Sequence, residues 1–516
     1  MKKNITLFFL LFTGALLAQE EIKKDREPVF VLPDVVISGE FDLKVGGEKK
    51  DLLPAKYPVP PKETPLMEME FIKGPYLEGD KRTPEFEKTE GKNKFGELTA
   101  RLGTYDNYFL KLIYGQQIDK LGFLLNAAGS RKNFGLQDFG YTNTALSGDF
   151  NYAFDKTLQL GLTLDYENET ENTPYRASLG FDALIKDFYT VYLRSSSVLA
   201  DKLSLNGAFS YVRSDISTFG LKHDEFELGA KVSYEVVLAN KKHLPGLSLN
   251  FKNDNIYGWI YDLELEDRFK IDNADISLAL KSNNGWLFFN AKAVFDIDSF
   301  TRVYVSYIPG RVYPKFKETY GGEIYLLNTS LRPENTWFYI LTGVEHKLLK
   351  EVPLTLEFYR KEQTDRLSYE SAGNSTAPVN LVKASVMGIN AKEEWTILEG
   401  LKQKLSYSYI NAVNPDNSAV NITYTPVHSL SLGGEYIYED WSFNAMFVLR
   451  GRMYYSQTLA DTLDDALLVF AGVKKNFGEN ITVFVNGENL LNRSYSVIKD
   501  YPLPGASLNI GLTLKF

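Results

Sequence analysis

From residue 95 to its last residue the chain alternates apolar and polar side chains with a period of two. Leu158, Leu160, Leu162, Leu164 and Tyr166 are interleaved with Thr157, Gln159, Gly161, Thr163 and Asp165. Leu203, Leu205, Gly207, Phe209 and Tyr211 repeat the rhythm against Ser204, Asn206, Ala208 and Ser210. The final run is Leu508, Ile510, Leu512, Leu514 and Phe516 against Asn509, Gly511, Thr513 and Lys515. Successive strand side chains point to opposite faces, so this pattern demands a sheet with one apolar face and one small or polar face. Turn signals separate the runs: Asp119-Lys120, Asp155-Lys156, Asp201-Lys202, Asn283-Asn284-Gly285 and Gly478-Glu479-Asn480.

A soluble β-sandwich and a transmembrane β-barrel both satisfy this pattern. A sandwich of this length needs several domains joined by linkers, yet no Pro- or Ser-rich break interrupts residues 95–516. A barrel turns its apolar face to lipid and its polar face to a lumen, which reconciles membrane insertion with a mean hydropathy of -0.22. The 14% aromatic content supplies interface girdles, expected at Tyr105 and Tyr108, Tyr189 and Tyr192, and Tyr454 and Tyr455. The expected fold is therefore all-β: a transmembrane antiparallel β-barrel of 22 strands, within a range of 20 to 24, preceded by a Pro-rich extended arm. So wide a barrel has a lumen that side chains alone cannot fill.

The first residues read as an address. Lys2 and Lys3 precede an apolar run from Ile5 to Leu17, too short to cross a bilayer and suited to a secretory signal over 1–18. Cleavage is expected after Ala18, with Ala15 as the alternative. Residues 19–94 hold nine of the twenty prolines, which break helices and remove ladder donors. Within this arm, Val31-Leu32-Pro33-Asp34-Val35-Val36-Ile37-Ser38-Gly39 is a β-branched island. It suits either a peptide that adds itself to a partner's sheet edge or a short strand covering the barrel's own end.

In the C-terminal third, Thr329-Ser330-Leu331-Arg332-Pro333-Glu334 with Gly343, Thr425-Pro426-Val427-His428-Ser429-Leu430, Val485-Asn486-Gly487-Glu488-Asn489-Leu490-Leu491-Asn492 with Tyr495, and Tyr501-Pro502-Leu503-Pro504-Gly505 occur in series. Together they resemble the ordered motifs of TonB-dependent outer-membrane receptors, well over residues 300–516 and by strand pattern alone over 95–300. The resemblance implies the outer membrane of a Gram-negative-type bacterium, a monomer, and uptake of an unidentified small solute. It makes Asp34, Val35, Val36, Ile37 and Ser38 a TonB-box-like strand that pairs with TonB. Leu508, Ile510, Leu512, Leu514 and Phe516 become the signal read by the barrel assembly machinery.

Family receptors place a folded plug between box and barrel, whereas residues 40–94 carry no mixed α/β pattern. Three arrangements fit: the arm enters the lumen, a separate protein supplies the plug, or the barrel works as a plugless, porin-like or accessory barrel by passive diffusion. A surface or adhesive role is disfavoured, since few connections exceed a dozen residues apart from 310–330 and 366–380.

Site chemistry is sparse. Asp262, Glu264 and Glu266 alternate with Leu263 and Leu265, aiming three carboxylates at the interior. They either concentrate cations or, as the preferred reading, pair with Lys or Arg on neighbouring strands. Asp461, Asp464 and Asp465 lack calcium-ligand spacing and suit a solvated turn. His223, His243, His346 and His428 share no metal-ligand spacing and are expected in loops or interfaces. There is no Cys, no hydrolase or nucleotide motif, and a net charge of -9. No catalytic, cofactor-binding or metal site is assigned, nucleic acid is excluded as a partner, and outer-membrane lipid is expected as one.

Overall fold

The structure, a computed structural model, describes residues 94–516 except 134–139, 156, 173–182, 201, 239–240, 315, 317–318, 320–327, 329, 349–351, 373–374, 399, 418–421, 458–461 and 500. The TonB-box-like segment and the expected signal therefore lie outside the described residues. Period-two alternation becomes one antiparallel sheet closed on itself, with 22 strands of spanning length. They are β1 (Lys94–Gly103), β2 (Asn107–Ile118), β3 (Leu121–Asn133), β4 (Gly140–Ala153), β5 (Leu158–Asn172), β6 (Leu184–Ala200), β7 (Leu203–Ile216) and β8 (Leu221–Tyr234). Then follow β9 (Gly246–Asp254), β10 (Gly258–Ile271), β11 (Ala274–Asn283), β12 (Trp286–Asp296), β13 (Thr301–Tyr307), β14 (Glu334–Leu348) and β15 (Val352–Ala372). The set is completed by β16 (Ser375–Leu398), β17 (Leu401–Val413), β18 (His428–Tyr438), β19 (Trp441–Arg450), β20 (Ala466–Phe477), β21 (Ile481–Glu488) and β22 (Ser507–Lys515). Three short segments, Val236–Leu238, Lys241–His243 and Gly310–Val312, extend the sheet at its rims.

The seam is a continuous ladder from Glu97↔Lys515 to Gly103↔Asn509. Beyond it the Phe516 and Gly96 backbones exchange both hydrogen bonds, at 2.7 and 2.9 Å. A Cβ at position 96 would collide with the Phe516 ring, so only glycine admits the terminal aromatic there. Inside the barrel, Tyr304 covers Gly343, Tyr359 covers Gly388 and Phe484 covers Gly511, each across a strand pair. Such aromatic–glycine pairs fill the pleat and help hold register.

The outward face carries Leu110, Leu112, Leu125, Leu146, Leu160, Leu164, Leu263 and Leu265, all exposed. Tyr152, Phe154, Tyr234, Tyr438, Trp441 and Phe477 form a girdle at the end that holds Lys94 and Phe516. Tyr108, Phe226, Trp259, Tyr261 and Trp337 form another at the opposite end. Three expected girdle residues differ. Tyr454 and Tyr455 sit in the connection after β19, where Tyr454 is buried, and Tyr192 takes the lumen-facing register of β6.

Connections at the termini end are short, apart from the one after β8 that carries Val236–Leu238 and Lys241–His243. Asp119, at φ 49, and Gly478, at φ 65, adopt the left-handed conformation that such turns need. Asn284 and Gly285, at φ 43 and 83, make the same kind of turn at the other rim. That other rim, the loop end, also bears the long connections 308–333, 414–427, 451–465 and 489–506. Residues 366–380 differ from expectation: apart from 373–374, which are not described, they continue β15 and β16 beyond the rim, paired from Arg366↔Leu381 to Ala372↔Ser375.

A charge on the lipid face tests the wall. Leu265→Arg is expected to destabilise the barrel by about 2–4 kcal/mol, read as a lower denaturant midpoint on unfolding from lipid vesicles.

Candidate functional site

The three carboxylates predicted on β10 follow the lumen-facing register, and each has a partner on a neighbouring strand or residue. Glu266 is buried between Lys231 and Arg268, whose Nη2 lies at 3.0 Å. Glu264 lies 3.3 Å from Lys281, and Asp262 accepts a 2.5 Å bond from the Asn283 amide. The same logic extends along the wall: Thr163 donates to Asp149, Asn143 to Glu167, Asn250 to Glu227, and Lys252 bridges to Glu225 at 3.0 Å. Lys186, nearly inaccessible, sits 3.5 Å from Glu171. Charges on this wall are held by cross-strand neighbours, as burial away from bulk water requires.

Near the termini end, beside the seam, the lumen wall contains a cavity of about 660 Å³. Its lining mixes Glu97, Arg101, Lys111, Glu435, Lys474 and Phe484.

The loop end is built differently. A single apolar cluster joins Leu184 and Ile216 on β6 and β7 to Tyr359, Ala384, Val386, Ile410 and Ala412 on β15–β17. Those strands stand almost opposite one another in the ring. Between them the cluster is filled by Phe316, Leu331, Ile422, Tyr424 and Met453 from the long connections, with Tyr455, Leu463, Tyr495 and Leu503 packed against it. Apolar packing thus bridges the lumen from wall to wall and forms a roof.

Polar knots fix its pieces. Glu334 accepts from the Gln363 amide at 2.5 Å and from the Leu367 backbone at 3.2 Å. Arg332 and Asn380 exchange two bonds, from the Arg332 amide at 2.7 Å and to its carbonyl at 3.0 Å. Glu370 accepts from Ser456 Oγ at 3.0 Å and from the Gln457 backbone at 2.9 Å. Asn489, buried and at φ 46, donates to the Arg493 and Pro504 carbonyls and closes the connection 489–506 on itself. Two of the sequence motifs, around Leu331–Glu334 and Asn489, therefore tie loops into the roof.

His223 departs from the expected loop or interface position. It is buried on the lumen face of β8, 3.1 Å from Asp254 at the end of β9. Asp254 also receives the Ile256 and Tyr257 amides at 2.8 and 3.2 Å. The Phe316 ring stacks on the imidazole at 4.5 Å and 9°, pinning the connection 308–333 across the lumen. Sequence reading missed this knot because its three residues are far apart in the chain. Among the others, His243 pairs with Asp267 at 2.8 Å near the termini end. His346 lies on β14 beside the Thr301 hydroxyl, and His428 begins β18 beside Tyr407.

A second missed residue is Arg450, at the loop end of β19. Its side chain is buried against Tyr495, whose ring centroid lies 5.9 Å from Cζ. Nη2 donates to the Ser496 carbonyl at 2.6 Å, while Nε and Nη1 have no hydrogen-bond partner. Burial pushes the Tyr495 phenol well above its usual range, so it stays a neutral neighbour. Nothing local marks Arg450 in the sequence: it is one Arg ending an alternating strand.

Among the described residues no cluster of three metal-ligating side chains occurs. Of the residues expected to guide assembly, Leu508, Ile510, Leu512 and Phe516 are exposed, and Ile510 and Leu512 are in register with both β1 and β21.

A family model described as TonB dependent receptor-like, beta-barrel matches residues 80–490. In fold the chain is similar to the closed form of the ferric-catecholate import receptor Fiu from E. coli K12, at 13% identity, 82% of either chain covered and a TM-score of 0.66. The ferric citrate transporter FecA is similar at 14% identity, covering 82% of this chain and 78% of that one, with a TM-score of 0.65. The copper transporter OprC follows at 11% identity, 82% and 81% coverage, and a TM-score of 0.63. No curated protein matches the sequence.

Removing the roof's central ring tests its role. Phe316→Ala is expected to cost about 3 kcal/mol of roof packing. Limited proteolysis should then cut the connection 308–333 faster, while the barrel keeps its heat-modifiable migration in gels.

Proposed function

The chain belongs to the TonB-dependent receptor-like β-barrel family, and from that premise we propose that it imports a small solute, a metal ion or metal chelate, driven by TonB. The family places it in the outer membrane of a Gram-negative bacterium, among receptors and transporters and not enzymes. The observation that carries the reading is the family match across most of the chain, joined to a polar lumen roofed at one end. The choice of solute class is supported by what the structurally similar proteins carry: Fiu a ferric catecholate, FecA ferric citrate, OprC copper.

In this reading residues 1–18 direct export, residues 19–94 form a periplasmic arm, and residues 95–516 are the barrel. The loop end faces outward and the termini end faces the periplasm, where TonB is reached. Asp34, Val35, Val36, Ile37 and Ser38 add as a strand to TonB, with backbone hydrogen bonds supplying affinity. Leu508, Ile510, Leu512, Leu514 and Phe516 present the insertion signal to the barrel assembly machinery, and the barrel works as a monomer. Asp262, Glu264 and Glu266 line the route as paired charges, which keeps the wall hydrated without holding cargo tightly. The roof argues against free diffusion, because a passive channel gains nothing from closing its outer mouth with apolar packing.

Proline at the centre of the box tests the coupling, since it removes a ladder donor. Val36→Pro is expected to weaken binding of a 31–39 peptide to the periplasmic domain of TonB by about tenfold or more. Uptake of radiolabelled ferric citrate or copper by cells relying on this barrel should fall to the level seen with an uncoupler. Undiminished uptake by the Val36→Pro protein would instead establish diffusion.

A further inference from the structure

Guanidinium groups stay charged in proteins, and a buried one is normally paired with a carboxylate. Arg450 breaks that rule. It is 6% exposed, no ion pair reaches it among the described residues, and two of its three nitrogens have no hydrogen-bond partner. Its polar contacts among the described residues are one carbonyl, Ser496, and the face of Tyr495. Elsewhere on the lumen wall, buried Lys186 and half-buried Lys252 each face a carboxylate on a neighbouring strand, and half-buried Lys231 reaches one across an intervening strand. The exception therefore stands out against the pairing found on the rest of the wall.

Its position adds a second argument. Arg450 ends β19 where the connection 451–465 begins, and Tyr495 belongs to the connection 489–506. Both connections contribute to the roof through Met453, Tyr455, Leu463, Tyr495 and Leu503. The small hairpins Met453–Tyr454 with Thr462–Leu463 and Ser496–Ile498 with Tyr501–Pro502 fold beside it. Lys499 lies 4.9 Å over the Tyr455 ring in the same bed. An unpaired guanidinium beneath two roof segments thus meets whatever enters when those segments move.

We propose that Arg450 is the cargo-recognition residue of the loop-end mouth, taking an oxyanion group of the solute, a carboxylate or phosphate, on its unsatisfied Nε–H or Nη1–H donors against the Tyr495 ring. The planar fork of Arg presents charged donors in fixed directions, and the dry surroundings strengthen a contact with an anionic oxygen. Binding supplies the missing counter-charge, so the empty site is the less stable state and occupancy favours whichever roof arrangement admits the anion. The inference rests on the uptake reading for its biological cargo, but the binding itself does not.

The test uses the full-length protein purified in detergent, with heat-modifiable migration confirming the fold of each variant. Calorimetric titrations with citrate and with inorganic phosphate are run at matched ionic strength in chloride. Saturable binding of either probe is expected. R450Q, which keeps a donor for the Ser496 carbonyl but no charge, should weaken it by about tenfold or more. R450K, which keeps the charge without the fork, should retain part of it, and serves as the deciding variant if R450Q fails to fold. Citrate binding without phosphate binding identifies a carboxylate cargo, and equal binding of both identifies a general oxyanion site. No saturable binding by the wild type, or binding that survives R450Q and disappears in K474Q at the termini-end cavity, overturns the proposal. Lost binding with TonB-driven uptake intact removes this inference alone. Intact binding without such uptake removes the transport reading alone.

Discussion

Everything in this molecule depends on closing one sheet so that no backbone polar group is left facing hydrocarbon. An unpaired amide or carbonyl in lipid costs several kcal/mol, and an open edge would present a whole row of them. The ladder between β1 and β22, continued by the paired backbones of Gly96 and Phe516, removes that edge. Closure in turn dictates the alternation, since every strand must give one face to lipid and the other to the lumen. It also explains why a glycine stands at position 96, where the terminal aromatic crosses.

Closure creates a second problem, the wide interior, and the two ends solve it in different ways. Along the middle and the termini end, polar side chains pair across strands and keep to the walls, as with Glu264 and Lys281 or Glu266 and Lys231. At the loop end apolar side chains from opposite walls meet through Phe316, Tyr424 and Met453. Among the described residues the roof is thus the place in the lumen where hydrophobic burial dominates. Its anchors are a few polar knots, notably His223 with Asp254, in which several hydrogen bonds converge on one carboxylate. A seal held by few knots and one core is well suited to opening as a unit, whereas the wall, held by continuous ladders, is not.

Much of the wall was legible in the sequence because its information is local. Leu158 to Tyr166 state their facing by alternation alone, and Asn284-Gly285 states its turn by backbone chemistry. The lumen side of Asp262, Glu264 and Glu266 followed from the same period. The roof was not legible. Phe316, Leu331, Tyr424 and Met453 come from connections with no period, and their neighbours lie on strands remote in sequence. Tyr454 and Tyr455 looked like girdle residues because they end a run, yet the chain turns inward there. Residues 366–380 were expected as a long connection, although pairing between β15 and β16 carries both strands past the rim. Arg450 had no local signal at all, because its distinction is the lack of a partner in space.

The claim that the barrel's own loop-end packing closes the lumen is tested most directly by single-channel conductance in planar bilayers. The mature protein is compared with a chain lacking residues 19–94. With the roof as the closure, both proteins stay silent, because every roof residue lies within 94–516. Large, steady conductance steps in the shortened protein alone would show that the arm is the closure. Such steps in both would show that apolar packing at the mouth does not close the lumen.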